Sequence, residues 1–460
     1  MNALYVICGV GVFALLAEVL NLKKWISNIA LAGLIAAIAW IVFDWRSVSY
    51  RFQGMMYFDH VALAFTALIL IVTFFWFWMA KDFFSSDEHI TEKSALVLFV
   101  VAGAIMMVAF NNMAILFLGL EILSISLYVL AGSNKLSLFS TEASFKYFLM
   151  GSFATGFLLF GITLVYGATG SFNISVISNP AQGMMSVATA TQGIPRFYFI
   201  GMLLMMVGLA FKISAVPFHL WAPDVYEGSP TPVTTFMLTV VKIAAFSAFV
   251  KIFSVTFSKY APTLQLLEQG IMVATLVVAN IAAVAQSNVK RMLAYSGVAQ
   301  VGYLLLAFSS DSAKSAGIIF YYLAAYSAAT LLAFTVIKIV EAQRGSASAD
   351  KFKGLFKSNP LVGVAMAIAM FSLAGIPPLA GFFGKYLVFT LSVGSHFVGL
   401  TVLAVITSLI GVYYYFKPVV AMAQAGENKL SVSVPDRYLL ILLMAINILI
   451  GIFPDLIRVI

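Results

Sequence analysis

The sequence predicts an all-α polytopic membrane protein of about fourteen transmembrane helices, with two inverted five-helix repeats and two broken helices. Three observations carry this expectation. Hydrophobic residues make up 62% of the chain and charged residues only 10%, where soluble domains carry roughly 25% charged residues. Apolar runs of bilayer length recur from end to end, with no linker long enough for a soluble domain, so residues 1–460 form a single membrane domain. Two of the runs, in corresponding places, are interrupted by proline.

The candidate spans run about 2–21, 26–44, 57–79, 94–110, 112–132, 142–167, 197–220, 231–254, 263–285, 289–308, 314–340, 360–391, 396–420 and 437–456. Each comes close to the roughly 20 apolar residues that a hydrocarbon crossing needs. The first, Met1–Leu20, lacks a basic n-region and a small-residue cleavage pattern, so it reads as a retained span and not as a signal peptide. Spans four to eight (94–254) form one block of five and spans nine to thirteen (263–420) another. Five is odd, so the second block starts from the opposite side of the membrane and the halves form an inverted pair. The seventh span carries Lys212 and, five residues on, Pro217. Pro217 cannot donate to the Ile213 carbonyl, so the helix loses a hydrogen bond beside a charge. The twelfth carries Pro377 and Pro378 among Gly375, Gly381 and Gly384, followed by Lys385. Paired broken helices in two halves mark a central translocation site in transporters.

Charge decides orientation. One set of alternating loops holds fifteen Lys and Arg residues, including Lys351, Lys353 and Lys357, and the other holds six, which puts both termini outside. The net charge of +8 therefore speaks for topology and not for nucleic acid. Cys8 is the only cysteine, which excludes an internal disulfide, an iron–sulfur cluster and a CxxC metal site. There is no GxGxxG after a strand, no P-loop and no haem or metal ligand cluster, so the chain itself binds no nicotinamide and carries no electrons.

Ionisable groups inside spans are expensive, and functional by default. Glu121 lies at mid-depth in the fifth span; a carboxylate there takes up a proton unless a lysine keeps it ionised. Lys212 is its natural partner and Lys146 a second; a static ion pair that orients helices is the structural alternative. Lys242, midway along the eighth span, and Lys385, after the second break, are placed to accept and release protons, since burial favours the neutral amine. The alternative for each is snorkelling to an interface, which is the better reading for Lys251 near a span end. His219, at the inner end of the seventh span, relays protons or hydrogen-bonds carbonyls freed at the break. Lys290 and Arg291 need no more than the positive-inside rule. Glu18 is a membrane carboxylate without an obvious partner.

The segment Phe218-His-Leu-Trp-Ala-Pro-Asp-Val-Tyr-Glu-Gly-Ser-Pro-Thr-Pro-Val-Thr234 resembles the antiporter-like membrane subunits of respiratory complex I, most closely the N-type. Ser144-Phe-Lys-Tyr-Phe148, Asn288-Val-Lys-Arg-Met-Leu-Ala-Tyr-Ser296 and Gly381-Phe-Phe-Gly-Lys-Tyr386 match as well. The resemblance runs over essentially the whole chain. It implies that Glu121, Lys212, Lys242 and Lys385 are the proton-translocating glutamate and lysines of the fifth, seventh, eighth and twelfth spans, with Lys146 a further N-type lysine. It implies a hydrated polar axis, and M-, K- and L-type neighbours with the lateral helix of the L type. Flavin, iron–sulfur clusters and quinone would belong to partner subunits. The location would be a bacterial inner membrane, with both termini periplasmic. A subunit of a multi-subunit cation/proton antiporter, working without redox input, is the alternative, and a structural spacer in the membrane arm a further one.

Overall fold

The computed structural model describes residues 1–20, 22–46, 50–81, 83, 89–178, 196–258, 261–310, 312–426 and 430–457. Of the loop cations that set the expected orientation, Lys259, Lys429 and Arg458 lie outside these. Twelve of the described helices are long and apolar enough to cross a membrane. They include α2 (Ile26–Trp45), α3 (His60–Met79), α4 (Ile90–Ala109), α5 (Met113–Ala131), α6 (Leu138–Thr169) and α7 (Arg196–Ile213). The others are α9 (Thr231–Thr256), α10 (Ala261–Val284), α11 (Val289–Ser310), α12 (Ser312–Arg344), α15 (Val398–Ala423) and α16 (Val434–Ile452). Shorter helices are α1 (Asn2–Leu16), α8 (Trp221–Gly228), α13 (Pro360–Ala374) and α14 (Ala380–Gly394). A small antiparallel hairpin, Tyr50–Phe52 with Met56–Phe58, caps one face.

These helices are apolar on nearly every side, so the bundle sorts them by what they carry and not by an amphipathic stripe. Helices α9, α11 and α12, which hold Lys242, Gln300 and five tyrosines, are almost wholly buried. Helices α2, α6, α15 and α16 expose much of their apolar surface, such as Phe145, Phe153 and Phe160 on α6. Such a face suits lipid or an apolar neighbour, since the helix satisfies its own backbone. Where α6 and α7 cross, a Cβ on Gly161 or on Gly201 would lie 2.8 Å from the other's carbonyl oxygen, so only hydrogen allows this approach.

The first span is shorter than expected. Helix α1 ends at Leu16, and Glu18 sits beyond it, 2.5 Å from Lys23 Nζ and accepting from Thr91 Oγ1 at 3.0 Å. The partner of Glu18 stands only five residues away, past the turn that sequence reading folded into the span.

Both predicted interruptions are present and share one geometry. Helix α7 ends in Ser214, at φ +64°, with Ala215 N–H reaching back to the Ala210 carbonyl at 2.9 Å. Helix α13 ends in Gly375, at φ +85°, with Ile376 N–H reaching the Phe371 carbonyl at 3.0 Å. These six-to-one bonds with a left-handed residue are Schellman-type stops. In each case a cis-proline, Pro217 or Pro378, follows three residues after the left-handed one.

Candidate functional site

Lys212 occupies the last turn of α7 and is buried. Its ammonium donates to Ser124 Oγ at 2.7 Å and to the Tyr147 hydroxyl at 3.2 Å. Tyr147 is fixed by stacking on Trp221, with centroids 4.7 Å apart and planes at 10°. Trp221 in turn donates from Nε1 to the Phe211 carbonyl at 3.3 Å, bridging the break from α8 back to α7. The tryptophan of the Trp221-Ala-Pro-Asp224 motif thus orients the tyrosine that holds the lysine. Glu121 lies one turn before Ser124 on α5, half-buried and within electrostatic reach of Lys212. No ion pair joins the two among the described residues: the lysine is held by neutral oxygens, with the carboxylate set apart.

Lys242 and Lys385 are buried too, which excludes snorkelling for both. Lys242 lies on α9 immediately after a π-helical turn, Met237–Val241. It donates to the Gly297 carbonyl of α11 and lies over the Tyr326 ring, 5.6 Å from its centroid. Lys385 donates to the Ala374 carbonyl and to Ser408 Oγ, each at 2.8 Å, and lies over Tyr303 at 4.9 Å. Ala374 lies in the last turn of α13, whose carbonyls have no helical donor, and Lys385 takes that carbonyl. Another carbonyl of that turn, of Leu373, is reached by Gln300 Nε2 at 3.3 Å.

Other expectations need correction. Lys146 does not face Glu121. It pairs with Glu142 one turn before it, at 2.6 Å, and with Asp224 at 2.8 Å, and is half-exposed. Arg291 extends that cluster, 2.9 Å from Asp224 and 2.8 Å from Glu227. Lys290 is buried and donates to the Ser229 carbonyl at 2.7 Å. The positive-inside rule therefore does not exhaust Lys290 and Arg291, which tie α11 to the residue after α8 and to α8 itself. His219 is buried beside the break, and its Nδ1 has no hydrogen-bond partner among the described residues. Lys251 is half-buried near the end of α9, 3.5 Å from the Val108 carbonyl and over Phe110 at the end of α4. Sequence reading passed over Gln300, Tyr322 and Tyr415, which are buried and hydrogen-bonded between the Lys242 and Lys385 sites. A buried glutamine in an apolar run was the available signal. Glu268, buried in α10, was missed as well.

A row of buried lysines on interrupted and π-bulged helices defines a membrane ion-translocating subunit of the antiporter type. Residues 110–411 match the family described as NADH:quinone oxidoreductase/Mrp antiporter, transmembrane, and the chain belongs to it. It is 42% identical to NADH-quinone oxidoreductase subunit N of Cytophaga hutchinsonii over 99% of this chain and 98% of the relative. It is 37% identical to that of Flavobacterium psychrophilum, over 99% of both chains. Among solved structures, a chain of respiratory complex I from Thermus thermophilus with bound aureothin superposes with a TM-score of 0.83. That match has 32% identity and covers 99% of this chain and 98% of the other. A chain of the archaeal membrane-bound sulfane sulfur reductase shares the fold at TM-score 0.86 and 24% identity, over 100% of this chain and 96% of that one.

Proposed function

We propose that the chain translocates protons in a respiratory NADH:quinone oxidoreductase, with Lys212, Lys242 and Lys385 as carriers, coupled to quinone reduction in other subunits. The observation that carries this is the set of three buried ammoniums held only by hydroxyls and carbonyls. Such oxygens accept from a neutral amine as well as from an ammonium, so a proton can leave without orphaning a buried carboxylate. Glu121 supplies the switch. When it closes on Lys212 the charged lysine is favoured, and when it withdraws the proton is released towards the next carrier. The hydrogen bonds from Lys212 to Ser124 and Tyr147 fit the withdrawn arrangement of this switch.

Electrons pass through partner subunits, which hold the flavin, iron–sulfur clusters and quinone; this chain has M-, K- and L-type neighbours and the L-type lateral helix. Counting α1, and α13 with α14 as one broken span, gives the fourteen crossings, and the shared Schellman geometry at Ser214 and Gly375 supports the inverted repeat. Trp45 and Ile457 line one cleft, which supports termini on one face, the periplasmic face of the bacterial inner membrane. His219 and Lys146 serve at the edge of this row, His219 as a relay at the break and Lys146 in the ion cluster with Asp224.

The test is substitution of Lys212 in the intact complex. Lys212→Met should assemble while proton pumping and coupled quinone reduction drop sharply. Lys212→Arg should fail almost as badly, because a guanidinium stays protonated. Normal pumping by the arginine variant would show that only a fixed positive charge is required.

A further inference from the structure

Between Lys242 and Lys385 the hydrogen bonds have a forced direction. Gln300 is 4% exposed and meets three groups. One is the Leu373 carbonyl, 3.3 Å away, which can only accept. The amide nitrogen must therefore face it, and the same nitrogen donates to the Tyr415 hydroxyl at 3.0 Å. The amide oxygen is left facing Tyr322, whose hydroxyl must donate to it. Tyr415, having accepted from Gln300, shares its other hydrogen bond with Ser296. Ser296 adjoins Gly297, whose carbonyl holds Lys242. On the other side, Gln300, Tyr322, Tyr326 and Lys385 line one small cavity. Gln300 thus stands where the surroundings of the two lysines meet, with every amide hydrogen committed.

We propose that Gln300 is the insulating junction between the two carriers: a positioning residue that couples them sterically while barring continuous proton flow. Its amide neither gains nor loses a proton at physiological pH. A proton leaving the Lys242 ammonium can therefore not hop through Gln300 to the neutral Lys385 amine while the amide spans Leu373, Tyr415 and Tyr322. Transfer requires the amide to let go of the Leu373 carbonyl. That carbonyl belongs to the broken helix, so passage is tied to movement of the break. Without this coupling, protons would run down the gradient between turnovers.

The inference rests on the proposed function and is tested in the intact complex reconstituted into vesicles. Gln300→Glu and Gln300→His put a titratable group in nearly the same volume. Each should lower the protons pumped per quinone reduced by about twofold, keep most quinone reduction, and raise passive proton back-flow several-fold. Gln300→Met cannot carry a proton but also frees the Leu373 carbonyl, so it should raise back-flow less than either titratable variant; a rise as large as theirs would overturn the insulating role. If Gln300→Glu does not assemble, Gln300→His decides. Lys242→Met and Lys385→Met are measured alongside. Normal pumping in both would sink the proposed function itself. Impaired pumping in both, with an unchanged ratio and back-flow in assembled Gln300→His, would overturn the junction alone.

Discussion

Gly451, in the last helix, offers a sharp test of how tightly the second break is held. A Cβ at this position would lie 2.1 Å from the Pro378 carbonyl oxygen, 2.6 Å from the Leu379 carbonyl carbon and 2.7 Å from Ala380 N. All three are backbone atoms, so no side-chain rotation relieves the contact. Even the 3.0 Å below which real Cβ contacts essentially never fall requires α16 and the break to part by 3.0 − 2.1 = 0.9 Å. Overpacking of this kind costs about 1–3 kcal/mol. The functional effect should be larger than the structural one. Lys385 lies one and a half turns past this backbone and donates to Ala374 on its far side, so displacement of the break pulls on that bond. A misplacement of about 1 Å in a reacting group can cost on the order of 100-fold in rate. Gly451→Ala should therefore assemble with a modest loss of thermal stability, yet pump protons at least tenfold more slowly per complex. Gly399→Ala, where a Cβ would meet nothing within 4 Å, is the control. Assembly and pumping by Gly451→Ala indistinguishable from that control would refute the argument that the last helix locks the break.

Two further outcomes are expected. Glu121→Gln should reduce pumping without preventing assembly, and Glu121→Asp should retain more activity because the charge remains. The double variant Glu121→Gln/Lys212→Met should be hardly worse than either single one, as coupled residues require; fully additive losses would show that the two act independently. With Cys8 removed, a single cysteine at Ser175 should be labelled by an impermeant maleimide in intact cells and one at Ser348 should not. Labelling of both from one side would overturn the fifteen-against-six charge argument for orientation.

What the sequence by itself determined is what depends on local chemistry. Burial in hydrocarbon demands a continuous helix of apolar residues, so hydropathy alone located nearly every span, with α1, α7 and α16 ending before the drawn limits. A proline removes a helical donor, so Pro217, Pro377 and Pro378 announced both interruptions, although Pro418 stands inside α15 without ending it. A lysine in such a run is costly in any packing, so Lys212, Lys242 and Lys385 stood out before any contact was known. Only the tertiary structure decided what each of these groups meets. Because the helices are apolar all round, their sequences carry no stripe to say which way a side chain points. Nothing in the chain pairs Gln300 with a carbonyl 73 residues away, or places Gly451 against the backbone of Pro378. Nor does it send Lys146 to Asp224 in place of Glu121. Those choices follow from how close the backbones approach, and that distance exists only once the bundle has packed.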